Sequence, residues 1–182
     1  MNLLFKLTVI LFKSISAAPT LCFDLDYTLY QLPQGVDFNY KHLKNDSQLK
    51  YLLSMLPCKK RIFTNGTYNH ALVSLDKLGL ENNFDQITAR DTINDLKPNL
   101  SAFKSFMKKN KIKINDKCVF FDDQYDNIVA SKKLGWITVF ISSEDILCEY
   151  VDFKFNNIHI ALNYLWYGWF NFVTDDFFSF NC

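Results

Sequence analysis

Five short apolar runs alternate with stretches of helical period along this chain, and that alternation limits the folds open to it more than any other feature. The runs are Leu21-Cys22-Phe23, Arg61-Ile62-Phe63, Gln86-Ile87-Thr88, Cys118-Val119-Phe120-Phe121 and Ile137-Thr138-Val139-Phe140-Ile141. Each is too short for a helix and is bounded by polar residues, as strands covered on both faces are. Between them Ala71, Leu72, Leu75 and Leu78 form a helical stripe that Gly79 would stop at C′. Leu100, Phe103, Phe106 and Met107 form a second, opened by Pro98 near N1, and a third carries Ile128, Val129 and Leu134 and stops at Gly135. The pattern predicts an α/β domain in which right-handed crossovers lay helices on the faces of one parallel sheet.

The residues just after the strands carry the chemistry. Asp24-Leu25-Asp26-Tyr27-Thr28 follows the first run, Thr64-Asn65-Gly66 the second and Asp122-Asp123 the fourth. In a parallel sheet these endings share the carboxyl edge, where ligands of such folds bind. Four carboxylates thus converge with a hydroxyl and an amide. Like charges about 4 Å apart repel by roughly 1 to 4 kcal/mol per pair at effective dielectrics of 80 to 20, so the cluster requires a counter-ion. Oxygen donors without sulfur or imidazole select Mg²⁺ over Zn²⁺. Lys97-Pro98 places a cation ahead of the fourth strand, as a phosphate dianion approaching carboxylates needs. The competing account is that these acids are loop residues and helix N-caps.

The 182 residues suit one domain and exclude a second full one. With 49% hydrophobic and 21% charged residues and a net charge of +1, neither disorder nor polyanion binding is indicated. Seven lysines between Lys97 and Lys117 face one acid, Asp116, but they are interleaved with Phe103, Phe106 and Met107 at helical spacing. We read them as a solvated helix face, and no nucleic-acid partner is expected. Cys22, Cys58, Cys118, Cys148 and Cys182 form no C-x-x-C pair and suit a reducing compartment. His42, His70 and His159 lie far apart and read as surface or packing residues rather than ligands.

Residues 1–18 form a hydrophobic extension with two readings. The small residues Ser14 to Ala18 resemble the exit of a secretory leader, although Lys6 interrupts the apolar stretch. Asn2, Lys6 and Lys13 also recur at helical intervals, as in an amphipathic surface helix. At the other end, 167–182 is an aromatic-rich tail broken by Asp175-Asp176, read as packing over the domain, as an atypical tail or as a membrane contact. Localisation is accordingly cytoplasmic, or secreted if residues 1–18 are a leader.

Asp24-Leu25-Asp26-Tyr27-Thr28, Phe63-Thr64-Asn65, Lys97-Pro98 and Phe121-Asp122-Asp123, in this order, resemble the four motifs of the haloacid dehalogenase (HAD) superfamily of phosphohydrolases. The wording is more similar still to the pyrimidine 5′-nucleotidase branch: Phe23 through Tyr30, Phe63-Thr64-Asn65-Gly66 with His70-Ala71, Leu78-Gly79-Leu80, and Phe120 through Ile128. The similarity runs from about Thr20 to Trp166. It implies a three-layer α/β/α Rossmann-like domain over 19–166.

The resemblance further implies an Mg²⁺-dependent phosphomonoesterase whose substrate is a small molecule, a nucleotide in that branch. Asp24 would be the nucleophile that forms an aspartyl-phosphate. Asp26 would act as general acid and base and lend a backbone carbonyl to Mg²⁺. Asp24, Asp122 and Asp123 would complete the metal site, and Thr64, Asn65 and Lys97 would hold the phosphoryl oxygens.

One departure from the family is large. Only 40 positions separate Asp24 from Thr64, so most of the usual helical cap is missing and a reduced one is expected at about 29–58. A site that closes less well excludes water and selects substrate less well. A smaller departure is Gln124, where the family commonly has Ser. Two further functions stand beside the phosphomonoesterase. One is a non-catalytic relic that binds Mg²⁺ or a phosphorylated ligand, and the other is an open-site phosphoprotein phosphatase.

Overall fold

A computed structural model describes residues 19–33, 35–144 and 148–167, so the readings of residues 1–18 and of nearly all the aromatic tail lie outside the described residues. Among the described residues six strands form one parallel sheet: β1 Thr20–Phe23, β2 Lys59–Phe63, β3 Gln86–Thr88, β4 Cys118–Asp122, β5 Ile137–Ile141 and β6 Phe153–Phe155. The helices are α1 Ser47–Met55, α2 Tyr68–Leu78, α3 Leu100–Lys109, α4 Tyr125–Lys132 and α5 over residues 158–167. All five expected strands form. The sixth, β6, was not anticipated, because three residues at a sheet edge carry too little periodicity to stand out.

Strand order is β3-β2-β1-β4-β5-β6. The chain therefore works outward from β1 to one edge and then restarts at β4, on β1's other side. In open α/β sheets that reversal leaves a crevice at the carboxyl ends of the two central strands. Here it lies beyond Phe23 and Asp122, which end β1 and β4.

Both faces of the sheet are covered, which explains why the strands read as continuous apolar runs. Leu21 and Phe23 of β1 and Val119 and Phe121 of β4 point into one layer with α1, α2 and α5. Cys22, Phe63, Cys118 and Phe120 point into the other, against α3 and α4. Phe23 and Phe121 are register partners whose rings stack at 4.4 Å. On the opposite face Phe106 stacks on Phe63 at 4.5 Å, and Phe103 and Trp136 complete the aromatic packing edge to face. Full burial of each such ring is worth roughly 1.5 to 3 kcal/mol. The arrangement is the three-layer α/β/α, Rossmann-like fold that the alternation implies.

Helix ends follow local chemistry, with some corrections to the sequence reading. Thr67 caps α2 by accepting from the His70 amide, and Gly79 ends it at φ 72°, as expected of a C-terminal glycine. Pro98 is not at N1 of α3: Asn99 holds the cap position and the helix begins at Leu100. Leu134 lies past the end of α4 but still packs against the aromatic layer. Leu72 is exposed and Ser74 is buried in α2. The actual contact stripe thus runs through Ala71, Ser74, Leu75 and Leu78, because the neighbouring layer, not residue polarity, sets which face turns inward.

Between β1 and β2 the described chain holds a short 3-10 turn, Tyr40–His42, and α1. Leu49, Leu52 and Leu53 of α1 are buried with the sheet and α2, so α1 belongs to a core layer. Asp46 fixes its start, accepting from the Leu49 amide at 2.8 Å, and its other oxygen takes the His159 ring of α5 at 2.9 Å.

Candidate active site

Asp24 is the first residue after β1, and its amide donates to the Phe121 carbonyl at 2.9 Å, which continues the β1–β4 ladder and ties the residue to its neighbour strand. Asp122 ends β4 and Asp123 follows it. Oxygens of Asp24, Asp122 and Asp123 all lie within 4.8 Å of one another. Asp24 and Asp122 are buried and Asp123 is partly so.

Among the described residues Lys97 supplies an internal counter-ion. Lys97 is 4% exposed, and its Nζ lies 2.8 Å from Asp24 Oδ1 and 2.7 Å from Asp122 Oδ2. It also sits 5.2 Å from the Phe63 ring centroid and 5.4 Å from that of Phe120. Asp122 is further held by Asn127, whose amide reaches both oxygens, and by the Gln124 backbone amide. Asp123 accepts from the Thr28 hydroxyl at 3.4 Å and from the Gln124 side-chain amide at 2.5 Å. Oδ2 of Asp24 accepts no hydrogen bond among the described residues.

Three carboxylates around one ammonium leave two negative charges uncompensated. Burial pushes the Asp24 carboxyl up to about 8, with Lys97 opposing and Asp122 and Asp123 adding to the rise. Burial likewise lifts Asp123 to about 6, Asp122 adding and the Gln124 bond opposing. Burial pulls the Lys97 ammonium down, but Asp122 and Asp24 outweigh it and hold it above the ordinary lysine value. An all-oxygen cluster with surplus negative charge fits a hard divalent cation, whose bonds to oxygen run from about 2.0 to 2.6 Å.

The other expected site residues divide. Thr64 is buried after β2; its hydroxyl accepts from the Gly66 amide at 2.9 Å, which leaves its own hydrogen to donate. Asn65 is occupied with protein: its amide donates to the Lys97 carbonyl at 2.9 Å and its oxygen accepts from the Lys97 amide at 3.0 Å. In this arrangement Asn65 aims Lys97 from behind. The Asp26 side chain is not part of the three-carboxylate cluster, so three of the four expected carboxylates lie within 4.8 Å of one another. The loop that carries it is anchored by buried Leu25 and Leu29, and Tyr27 takes φ 59°, a left-handed turn uncommon for a residue with Cβ.

Asp26 meets residues that the sequence reading left out. Oδ1 lies 2.7 Å from His70 Nε2 and also accepts from the Tyr30 hydroxyl. His70 Nδ1 is in turn 2.9 Å from the Tyr40 hydroxyl. Burial, and then the bond to Asp26, raise the Tyr30 hydroxyl far above the ordinary tyrosine value, so it remains a donor. His70 is partly buried, packs against Phe38 and is absent from the carboxylate cluster, and it also meets the Asp26 carboxyl. The available signal was its place, four residues past Gly66 in the first turn of the helix that leaves the site. His42, by contrast, is exposed.

Residues 38–141 match the haloacid dehalogenase-like hydrolase family. Among solved structures, a Thermotoga maritima protein described as a β-phosphoglucomutase aligns over 81% of this chain and 98% of its own, with 15% identity and a TM-score of 0.64. The L-2-haloacid dehalogenase of Xanthobacter autotrophicus aligns over 68% of this chain at 15% identity and a TM-score of 0.56. This chain spans 62% of that enzyme's length. The core domain of a Streptococcus pneumoniae protein described as a phosphoglycolate phosphatase aligns over 78% of this chain and 88% of its own, at 16% identity and a TM-score of 0.50. With more than half its length matched and its acids gathered at the central crevice of the sheet, the chain belongs to the haloacid dehalogenase-like hydrolases.

Proposed function

We propose that the protein is an Mg²⁺-dependent phosphomonoester hydrolase of the nucleotidase type, working through an aspartyl-phosphate on Asp24. The observation that carries this reading is the cluster of Asp24, Asp122 and Asp123 with Lys97 between the first two. Three carboxylates would hold a divalent cation, and that cation together with Lys97 would offset the charge of a phosphate dianion. The nucleotidase assignment rests on the sequence wording around Asp24, Asn65 and Asp123.

Asp24, Asp122 and Asp123, with the Asp26 carbonyl, would hold Mg²⁺, which when bound neutralises charge on the phosphoryl oxygens. Asp24 Oδ2, free of hydrogen bonds from the described residues, attacks phosphorus while Lys97 keeps Oδ1 fixed. As the ester P–O bond breaks, Asp26 gives its proton to the departing oxygen. Asp26 then takes a proton from water, whose oxygen attacks the acyl phosphate, releases inorganic phosphate and restores the Asp24 carboxylate. Lys97 and the Thr64 hydroxyl stabilise the phosphoryl oxygens, and Asn65 contributes by holding Lys97.

The test is hydrolysis of p-nitrophenyl phosphate, with and without Mg²⁺, by the wild-type protein and by Asp24→Asn. Turnover that requires Mg²⁺ and vanishes in the variant supports the reading. A folded wild-type protein no faster than Asp24→Asn at saturating Mg²⁺ overturns it.

A further inference from the structure

Building on that phosphohydrolase reading, we propose that His70 is a positioning residue for Asp26, itself set by Tyr40 through a continuous chain of hydrogen bonds. The Tyr40 hydroxyl lies 2.9 Å from Nδ1 and Asp26 Oδ1 lies 2.7 Å from Nε2, so with Tyr40 as donor the ring proton sits on Nε2 and is donated to Asp26. Tyr30 donates to the same oxygen. Both donors therefore fall on Oδ1, and no hydrogen bond from the described residues reaches Oδ2. The two carboxyl oxygens become inequivalent. One is anchored, and the other is left to carry the proton.

The ring itself has little freedom. Its side chain is 17% exposed, and the Phe38 ring packs on it edge to face with centroids 5.1 Å apart. On another side stands Gly66, where a Cβ would come within 2.8 Å of His70 Cδ2, so the close approach depends on a residue without one. Thr67 fixes the His70 backbone at the start of α2. Asp26 by contrast is 32% exposed and stands on a loop, where an unheld carboxyl would sample several rotamers. A general acid works only with its proton within hydrogen-bond reach of the departing oxygen.

Phe38 and Tyr40 come from the stretch between β1 and β2 in which the family's cap is reduced. Both residues reach the acid through the His70 ring. The contribution of that stretch is to hold Asp26 in register, through His70, with the phosphoryl group on Asp24.

The experiment compares kcat for p-nitrophenyl phosphate, whose leaving group departs as a stabilised anion, with kcat for phenyl phosphate, whose leaving group needs a proton. Wild type, His70→Ala, His70→Gln and Tyr40→Phe are measured with saturating Mg²⁺. The general acid is worth 10²- to 10⁴-fold, so His70→Ala is expected to lose at least about tenfold more on the phenyl ester than on the nitrophenyl ester. His70→Gln, which keeps a donor at that reach, recovers most of the difference, and Tyr40→Phe gives a smaller loss of the same kind. In parallel, histidine-selective ¹⁵N spectra of the resting protein are expected to show Nε2 protonated and Nδ1 bare, with the Nδ1 resonance shifting in Tyr40→Phe. Equal losses on the two esters, or a His70 ring with the opposite tautomer, would overturn the positioning role while leaving the hydrolase intact. Wild-type activity indistinguishable from Asp24→Asn would instead overturn the hydrolase reading, and the role of His70 with it.

Discussion

Asn65 grips the backbone of Lys97 at both of its polar atoms, amide to carbonyl at 2.9 Å and oxygen to amide at 3.0 Å, across 32 residues of sequence. The loop after β2 thereby fixes where the segment before α3 delivers its ammonium. Asn65→Ala removes both bonds and strands two backbone groups, each a loss of about 1 to 3 kcal/mol where water does not replace the partner. The expected result is a lower melting temperature together with reduced kcat. An unchanged kcat would separate Asn65 from the placement of Lys97.

Lys97→Met is a sharper test, because it takes the buried cation from between Asp24 and Asp122 and leaves their shape nearly intact. Removing one partner of a buried ion pair costs roughly 3 to 5 kcal/mol. The loss should be greatest near pH 8.5 and smallest near pH 5, where Asp24 is neutral in the folded protein. Chemical denaturation at the two pH values reads the difference.

The raised acids also set how the metal-free protein responds to pH. Asp123 titrates at about 6 and Asp24 at about 8 when folded, against an ordinary aspartate value of about 3.9 when unfolded. Between those limits the folded protein holds more protons than the unfolded chain, so stability falls as pH rises from about 4 to about 8. Asp123's share is lost by about pH 6 and Asp24's by about pH 8. Saturating Mg²⁺ should flatten this decline, and its binding at pH 7 should release protons, which calorimetry in buffers of different ionisation enthalpy detects. Metal-free stability that climbs across the same range would contradict the assignment.

Gly66→Ala probes the packing around His70. The added methyl would lie 2.8 Å from the His70 ring, 3.3 Å from the Thr64 hydroxyl and 3.5 Å from Asp26 Oδ2, so the ring must shift. A displacement of that order at a catalytic carboxyl is worth roughly 10- to 100-fold in rate. Steady-state kinetics on phenyl phosphate, with circular dichroism to confirm the fold, checks it.

The architecture was legible in the sequence because its causes are local. Residues 118–121 are apolar on both faces, which marks a strand between two helical layers, and Gly79 marks a helix end through a conformation few other residues take. Asp24, Asp122 and Asp123 could be placed together because they follow strands of one parallel sheet, and such endings share an edge. The three-residue strand Phe153–Phe155 and the inward turn of Ser74 in place of Leu72 were not legible, since both depend on what packs alongside.

The chain's own order of residues determined the layers, the crevice edge and the presence there of an acidic cluster, all of which rest on periodicity and on what ends each strand. Tertiary structure alone decided the partners. It set Lys97 between Asp24 and Asp122, turned Asn65 onto the Lys97 backbone, and brought His70 and two tyrosines into the hydrogen-bonded chain around Asp26. A hydrogen bond is directional and reaches only about 3 Å, so which donor finds which oxygen is fixed after the layers have packed and cannot be read from spacing along the chain.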